Sequence, residues 1–107
     1  MKQNLKIGID LVYIPDFEAK IKKRGKLFIK RIFSSREISE TKKIASLAGK
    51  YACKEAFIKT LGKKMYRLNE IEILKLQDRP YVLFKGKKFF GVSISHAGSY
   101  AAAAIAI

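Results

Sequence analysis

The residues from Ile44 to Gly62 constrain this chain more than any other stretch. Apolar residues at Ile44, Leu47, Ala48, Tyr51, Ala52, Ile58 and Leu61 recur at helical spacing. Gly62 stands where a left-handed residue closes a helix. The pattern predicts one long central helix with a buried apolar stripe. Glu55 interrupts that stripe: it follows Tyr51 by one turn and precedes Ile58 by nearly one, so it shares their face. A carboxylate in such a place is costly unless a cation or a set of donors meets it. Two readings stand side by side. One is an i,i+4 ion pair with Lys59, worth roughly 0.2–0.5 kcal/mol. The other is an acid kept for chemistry. Spacing alone leaves both open.

A chain of 107 residues is enough for one domain, 1–107, with a real core. Its formal net charge of +14, from 23 Lys and Arg against 9 Asp and Glu, implies an anionic partner. That partner could be a nucleic acid, a phosphorylated ligand, an acidic protein or an anionic membrane surface. The single Cys53 cannot form an intrachain disulfide, which suits a reducing, cytoplasmic setting. It reads as a small buried hydrophobe rather than a reactive thiol. Met1 to Asn4 lead into a short alternating run rather than a secretory leader. The Ala-rich tail from Tyr100 to Ile107 is too short to span a bilayer.

Leu5 to Ile14 alternates apolar residues (Leu5, Ile7, Ile9, Leu11) with Lys6, Gly8, Asp10 and Val12, the pattern of a strand with one apolar face. Asp10 falls on the opposite face. It is either a residue of a solvated surface or a functional acid, with Gly8 leaving space beside it. Pro15 and Asp16 open a helix whose buried side is Phe17, Ile21, Phe28 and Ile32, bent or broken at Gly25. Between Lys20 and Arg31 lie Lys20, Lys22, Lys23, Arg24, Lys26, Lys30 and Arg31, with no acid among them. Cations so crowded repel one another, so the run reads as a docking surface. Ser34 and Glu37 fit a capping box, with Phe33 and Ile38 as its hydrophobic staple, so Glu37 reads as structural. Thr41 to Lys43 is a joint before the central helix.

After Gly62 a basic loop, Lys63 to Arg67, is expected. Ile71–Leu76 and Tyr81–Phe84 read as a hairpin about the turn Gln77–Pro80. Lys85 to Lys88 reads as a loop or a short turn of helix. Val92–His96 is a strand with Ser93 and Ser95 on one face and Val92, Ile94 and His96 on the other. Ala97-Gly98-Ser99 turns the chain into a last strand, Tyr100 to Ile107, whose small side chains imply close packing against another subunit. The fold class is α+β: a small antiparallel sheet packed with a long central helix and a basic N-terminal helix.

Four blocks occur in order: Gly8-Ile9-Asp10-Leu11-Val12, Phe33-Ser34-Ser35-Arg36-Glu37, Tyr51 through Gly62, and Val92-Ser93-Ile94-Ser95-His96. Together they resemble the 4'-phosphopantetheinyl transferases, and among them the short bacterial holo-acyl-carrier-protein synthases. The resemblance spans nearly the whole chain and implies the fold of that family. It implies transfer of 4'-phosphopantetheine from coenzyme A to a serine of an acidic acyl carrier protein, with adenosine 3',5'-bisphosphate released. On the same ground Asp10 and Glu55 match the two acids that hold Mg²⁺ against the coenzyme A diphosphate. Lys59 matches the lysine that meets the phosphates. Lys50 stands in place of a common arginine that contacts the nucleotide phosphates. Ser95 and His96 match the strand lining the coenzyme A site. The first helix, with Lys20, Lys22, Lys23, Arg24 and Lys26, matches the surface that docks the carrier. The resemblance also implies a homotrimer with sites between subunits. Asp16 and Tyr13 depart from the family's usual residues, and the loop after Gly62 is short.

Chemistry agrees with the metal assignment: Mg²⁺ is commonly held by one or two carboxylates plus substrate phosphates and water. A small basic nucleic-acid-binding domain is the rival reading. It has the charge but no helix-turn-helix, zinc-ligand or aromatic RNA-binding motif, and it leaves Asp10 and Glu55 without a purpose. An inactive relative that only binds coenzyme A is a third.

Overall fold

The computed structural model describes residues 4–62 and 66–107. In chain order these form β1 (Ile7–Tyr13), α1 (Ile14–Ile32), α2 (Ser35–Glu40), α3 (Ile44–Thr60), a single 3-10 turn (Leu68–Glu70), β2 (Glu72–Leu76), β3 (Arg79–Phe84), β4 (Lys87–Phe89), β5 (Val92–Ala97) and β6 (Tyr100–Ala106). The expected α+β arrangement is present, with the antiparallel strands divided between two three-stranded sheets, β1-β6-β5 and β2-β3-β4.

Helix α3 is the centre of the molecule. Its buried residues Ala48, Gly49, Ala52, Cys53, Ala56 and Phe57 point in several directions, because sheet, hairpin and α1 surround it. It ends as expected, with Gly62 at φ 79°. Its closest neighbour is β1. A Cβ placed on Gly8 would lie 1.9 Å from the backbone oxygen of Ala56, so only glycine lets strand and helix meet this closely.

The registers of the first sheet assign every residue to a face. Gly8, Ile105 and Val92 lie in one row, Asp10, Ala103 and Ile94 in the next, and Val12, Ala101 and His96 in the third. This is the face that α3 covers, with Gly8, Val12, Ala101, Ala103 and Ile105 buried. The other face carries Ile7, Ile9, Leu11, Ala102, Ala104, Tyr13, Tyr100, Ser93 and Ser95. The apolar side of the Leu5–Ile14 alternation therefore does not enter this chain's core: Ile7, Ile9 and Leu11 are 66%, 65% and 63% exposed. The face bearing Asp10, which alternation would leave to solvent, is the packed one. Small residues at Gly8, Ala101 and Ala103 admit the helix, and no large side chain is needed there.

Helix α1 runs on both sides of Gly25, whose φ of 72° and ψ of −155° kink it. Phe17 and Ile32 are buried, while Ile21 and Phe28 pack partly buried on the core. The capping box of Ser34 and Glu37 is formed. Buried Phe33 and half-buried Ile38 flank it. The β2–β3 turn is tighter than expected: Gln77 and Asp78, at φ 50° and 63°, make a two-residue connection, so Arg79 and Pro80 belong to β3. Lys85 and Gly86, at φ 50° and 76°, make a second such turn. The stretch from Lys85 to Lys88 is thus a hairpin turn leading into β4, not a loop or helical turn. Three residues with two lysines carry too little alternation to read as a strand. The basic loop after Gly62 falls largely at residues 63–65, outside the described residues.

Candidate active site

Asp10 sits in the middle of β1, opposite Ala103, on the face covered by α3. Glu55 rises from α3 beside it. Both line one cavity of about 340 Å³, together with Leu11, Val12, Tyr13, Asp16, Phe17, Lys20 and Tyr51. Strand β1 and helix α3 approach closely enough for this because of Gly8. Sequence spacing placed the two acids on separate elements. The fold makes them neighbours.

The simple reading of Glu55 as an i,i+4 partner of Lys59 is not what the structure contains. The Lys59 ammonium reaches across to β1, donating to the backbone oxygen of Ile9 at 2.8 Å and to Asp10 Oδ1 at 3.1 Å. Among the described residues Glu55 has no cation within ion-pair distance. Burial pushes its carboxyl above the usual 4.5, and the nearby Asp10 pushes the same way, with Tyr51 and Lys59 pulling back. The Tyr51 hydroxyl is pushed up by its own burial and by Glu55. The Tyr51 ring is stacked on Phe17, 5.2 Å between centroids and 22° between planes, which fixes that wall of the cavity.

These residues fit a divalent cation. Two carboxylates from different elements converge, and the half-buried one has no full counter-charge. Among the described residues no group of three His, Cys, Asp or Glu side chains could hold a metal alone. An ion at Asp10 and Glu55 would thus draw further ligands from substrate oxygens and water, as Mg²⁺ commonly does.

A second cavity, of about 650 Å³, opens on the other side of α3. Lys50 and His96 line it, as do Lys42, Lys43 and Lys75, with Glu40 and Asp78 the acids present. Burial pulls the Lys50 ammonium below its usual range. His96 Nε2 lies 2.9 Å from the backbone oxygen of Ala45. Gly49 leaves room for that ring: a Cβ there would meet it at 3.1 Å. The cluster of Lys42, Lys43 and Lys75 was not singled out from sequence. Its only signals were the Lys42-Lys43 pair before a helix and a lysine following buried Leu74 in β2. Ser95 is not brought to either cavity. It lies opposite Ala102 on the outward sheet face, with Leu11 on the far side of Ala102, while His96 points the other way.

The five α1 cations read as a docking surface, Lys20, Lys22, Lys23, Arg24 and Lys26, are all exposed. Among the described residues none of them is within ion-pair distance of an acid. Lys20 also borders the smaller cavity, so the basic surface runs to the edge of the Asp10–Glu55 site. Cys53 is fully buried and its thiol is pushed up to about 12, chiefly by burial, so it is packing and not a nucleophile.

The sequence model of the 4'-phosphopantetheinyl transferase superfamily matches residues 6–106. A holo-[acyl-carrier-protein] synthase of Nautilia profundicola is 38% identical over 108 residues, covering 92% of this chain and 96% of that protein. One from Staphylococcus carnosus is 34% identical over 110 residues, covering 92% of each. In three dimensions the chain is similar to Helicobacter pylori holo-[acyl-carrier-protein] synthase in complex with coenzyme A. The TM-score is 0.83 at 29% identity, covering 92% of this chain and 96% of that one. With a match over almost its entire length, and with relatives more than 30% identical across some nine-tenths of both proteins, the chain belongs to the 4'-phosphopantetheinyl transferase superfamily.

Proposed function

We propose that this chain is a holo-[acyl-carrier-protein] synthase, transferring 4'-phosphopantetheine from coenzyme A to a serine of an acyl carrier protein. The observation that carries the reading is the convergence of Asp10 and Glu55 in one cavity, at the edge of a basic helix, with a second cationic cavity across α3. In the reaction the serine oxygen forms a bond to the β-phosphorus of coenzyme A. The bond from that phosphorus to the bridging oxygen breaks, and adenosine 3',5'-bisphosphate leaves; the serine proton passes to solvent or a nearby base. Mg²⁺, when bound, would offset charge on the diphosphate oxygens.

The chain's own residues divide the remaining work. Asp10 and Glu55 would hold the ion, and Lys59, tethered beside Asp10, would meet the phosphates. Lys50 and His96, with Lys42, Lys43 and Lys75 around them, attract the nucleotide end of coenzyme A. Lys20, Lys22, Lys23, Arg24 and Lys26 receive the acidic carrier. The buried free thiol of Cys53 suits the reducing cytoplasm.

The outward face of the first sheet supports assembly into a homotrimer with sites shared between subunits. Ile7, Ile9 and Leu11 form an apolar row exposed in the single chain, continued by Ala102 and Ala104 of β6. Light scattering in moderate salt is expected to give about three times the chain mass, and Ile9→Lys to reduce it to that of one chain. A fully active monomer would contradict the shared site.

The experiment that tests the function is the intact mass of an apo-carrier protein after incubation with this protein, coenzyme A and Mg²⁺. A gain of one phosphopantetheine group is the expected result. An unchanged carrier, with coenzyme A bound, would leave only a binding protein.

A further inference from the structure

Directly before Glu55 on α3 the chain buries a full charge. Lys54 is 0% exposed, and so is its partner Glu37 on α2. The Lys54 ammonium has three protons and three acceptors: Glu37 Oε1 at 2.5 Å, the backbone oxygen of Ile32 at 2.6 Å and that of Leu68 at 3.0 Å. Glu37 is as fully engaged. Its Oε1 also accepts from the Ser34 backbone N–H at 3.0 Å, and its Oε2 from that of Ile73 at 2.9 Å. One ion pair thus joins the last turn of α1, the start of α2, the 3-10 turn, the start of β2 and the middle of α3.

Such a pair is a poor device for stability alone, because desolvation consumes most of what the attraction returns. It adds directed bonds that the small apolar contacts of α3 do not supply. The packed surface of α3 is built largely of Ala48, Gly49, Ala52, Cys53 and Ala56, with Phe57 and the half-buried Tyr51 as its large aromatic contacts. The short side chains between them give little resistance to a helix turning about its axis or sliding along it. A slide of one residue displaces a helix by about 1.5 Å and turns its side chains by about 100°. Either motion would carry Glu55 away from Asp10. Lys54, one position before Glu55, is held by three directed bonds to three other elements.

We infer that the buried Lys54–Glu37 pair is the positioning element of the metal site: it fixes the rotation and axial setting of α3, and so aims Glu55 at Asp10. Lys54 and Glu37 touch no substrate and act through Glu55. This inference rests on the reading of Asp10 and Glu55 as metal ligands.

The test is binding of Mn²⁺, as a spectroscopic probe for Mg²⁺, to the coenzyme A complex of four proteins, followed by electron paramagnetic resonance. They are the parent, Glu55→Gln, Glu37→Asp, and the double variant Glu37→Gln/Lys54→Met. Cooperative thermal melts and coenzyme A affinity are recorded alongside. The double variant removes both charges together and so leaves no orphaned ion. Glu37→Asp keeps both charges but withdraws the carboxylate by one methylene. It carries the test where the double variant does not fold. Folded variants at the pair are expected to bind coenzyme A within a few-fold of the parent and Mn²⁺ about tenfold more weakly or worse, the range seen when groups supporting a metal ligand are lost. Transfer activity is expected to fall in parallel and to recover partly at high Mg²⁺. Parental Mn²⁺ affinity in a folded pair variant would overturn the inference and leave the pair as packing. Parental Mn²⁺ affinity in Glu55→Gln would overturn the metal reading itself.

Discussion

Lys54 and Glu55 are adjacent in sequence and opposite in circumstance. Lys54 faces a sealed interior where every donor has an acceptor, and among the described residues no buried side-chain polar atom goes unpartnered. Glu55 faces a cavity, half-buried, beside a second acid, with its obvious helical partner Lys59 bonded elsewhere. One side of α3 closes its electrostatics within the chain. The other leaves them to be closed by something that binds. A fold that can satisfy a buried charge this completely at one residue could do so at the next, so the open side is a property of the site and not a failure of packing.

The comparison breaks most visibly at the open side. Asp10→Asn and Glu55→Gln are each expected to cut phosphopantetheine transfer at saturating coenzyme A by about a hundredfold or more, since a bound metal supplies several kcal/mol of transition-state stabilisation. Both proteins should melt cooperatively near the parent's temperature. Near-normal turnover in both would remove them as metal ligands. On the sealed side the effect should be the reverse in kind. Lys54→Met leaves buried Glu37 without its cation, which costs roughly 3–5 kcal/mol, a large share of the roughly 5–15 kcal/mol that holds a small domain together. Denaturant unfolding measures it; a loss under about 1 kcal/mol would mean that water enters to rescue Glu37.

Helix α1 touches both sides: its first turns border the open cavity and its last carbonyls meet Lys54. Its middle touches neither. Reversing Lys22, Lys23 and Lys26 to Glu should therefore leave stability and the Michaelis constant for coenzyme A nearly unchanged. The constant for the carrier is expected to rise about tenfold at low ionic strength, with the difference shrinking as salt screens it. Equal loss for both substrates would place these lysines in the nucleotide site instead.

What is legible in the sequence follows the same division. The capping box, the kink at Gly25, the span of α3 and the exposed α1 cations are local and were legible, because turn chemistry, charge and a 3.6-residue period act over a few positions. The anomaly of Glu55 was legible too. Its neighbour was not: Lys54 looked like one more lysine in a basic chain, and only the return of α1, α2 and β2 around α3 shows it as buried. The inner face of β1 was misjudged for a related reason. Alternation marks which residues share a face but not which face is inside, and here glycine and alanine line the packed side while Ile7, Ile9 and Leu11 look outward. Strand β4 carries no local pattern, and the lysine pair before α3 and Lys75 in β2 do not say that the fold brings them together.

The smallest expected effect is also the most direct reading of the open side. The Glu55 carboxyl is pushed above its usual 4.5 in the folded chain, first by burial and then by Asp10. A raised carboxyl pKa means that the folded state holds a proton which the unfolded chain has already released. The resulting cost to stability is absent well below pH 4.5 and grows as pH rises through the shifted value. Glu55→Gln removes the titration. Without metal and coenzyme A, its melting temperature should match or slightly exceed the parent's at pH 7, and the two should converge towards pH 4. The margin is small because Glu55 is half-open to water, which screens both causes. Mg²⁺ and coenzyme A together should invert the order at pH 7. The parent should gain about 2.7 kcal/mol when its ligands stand at a hundred times their dissociation constant, and Glu55→Gln should gain less if Glu55 is a ligand of the ion. A parent already more stable than Glu55→Gln at pH 7 without ligands would mean that the chain itself satisfies this carboxylate. Glu55 would then belong with Lys54, on the sealed side of the helix.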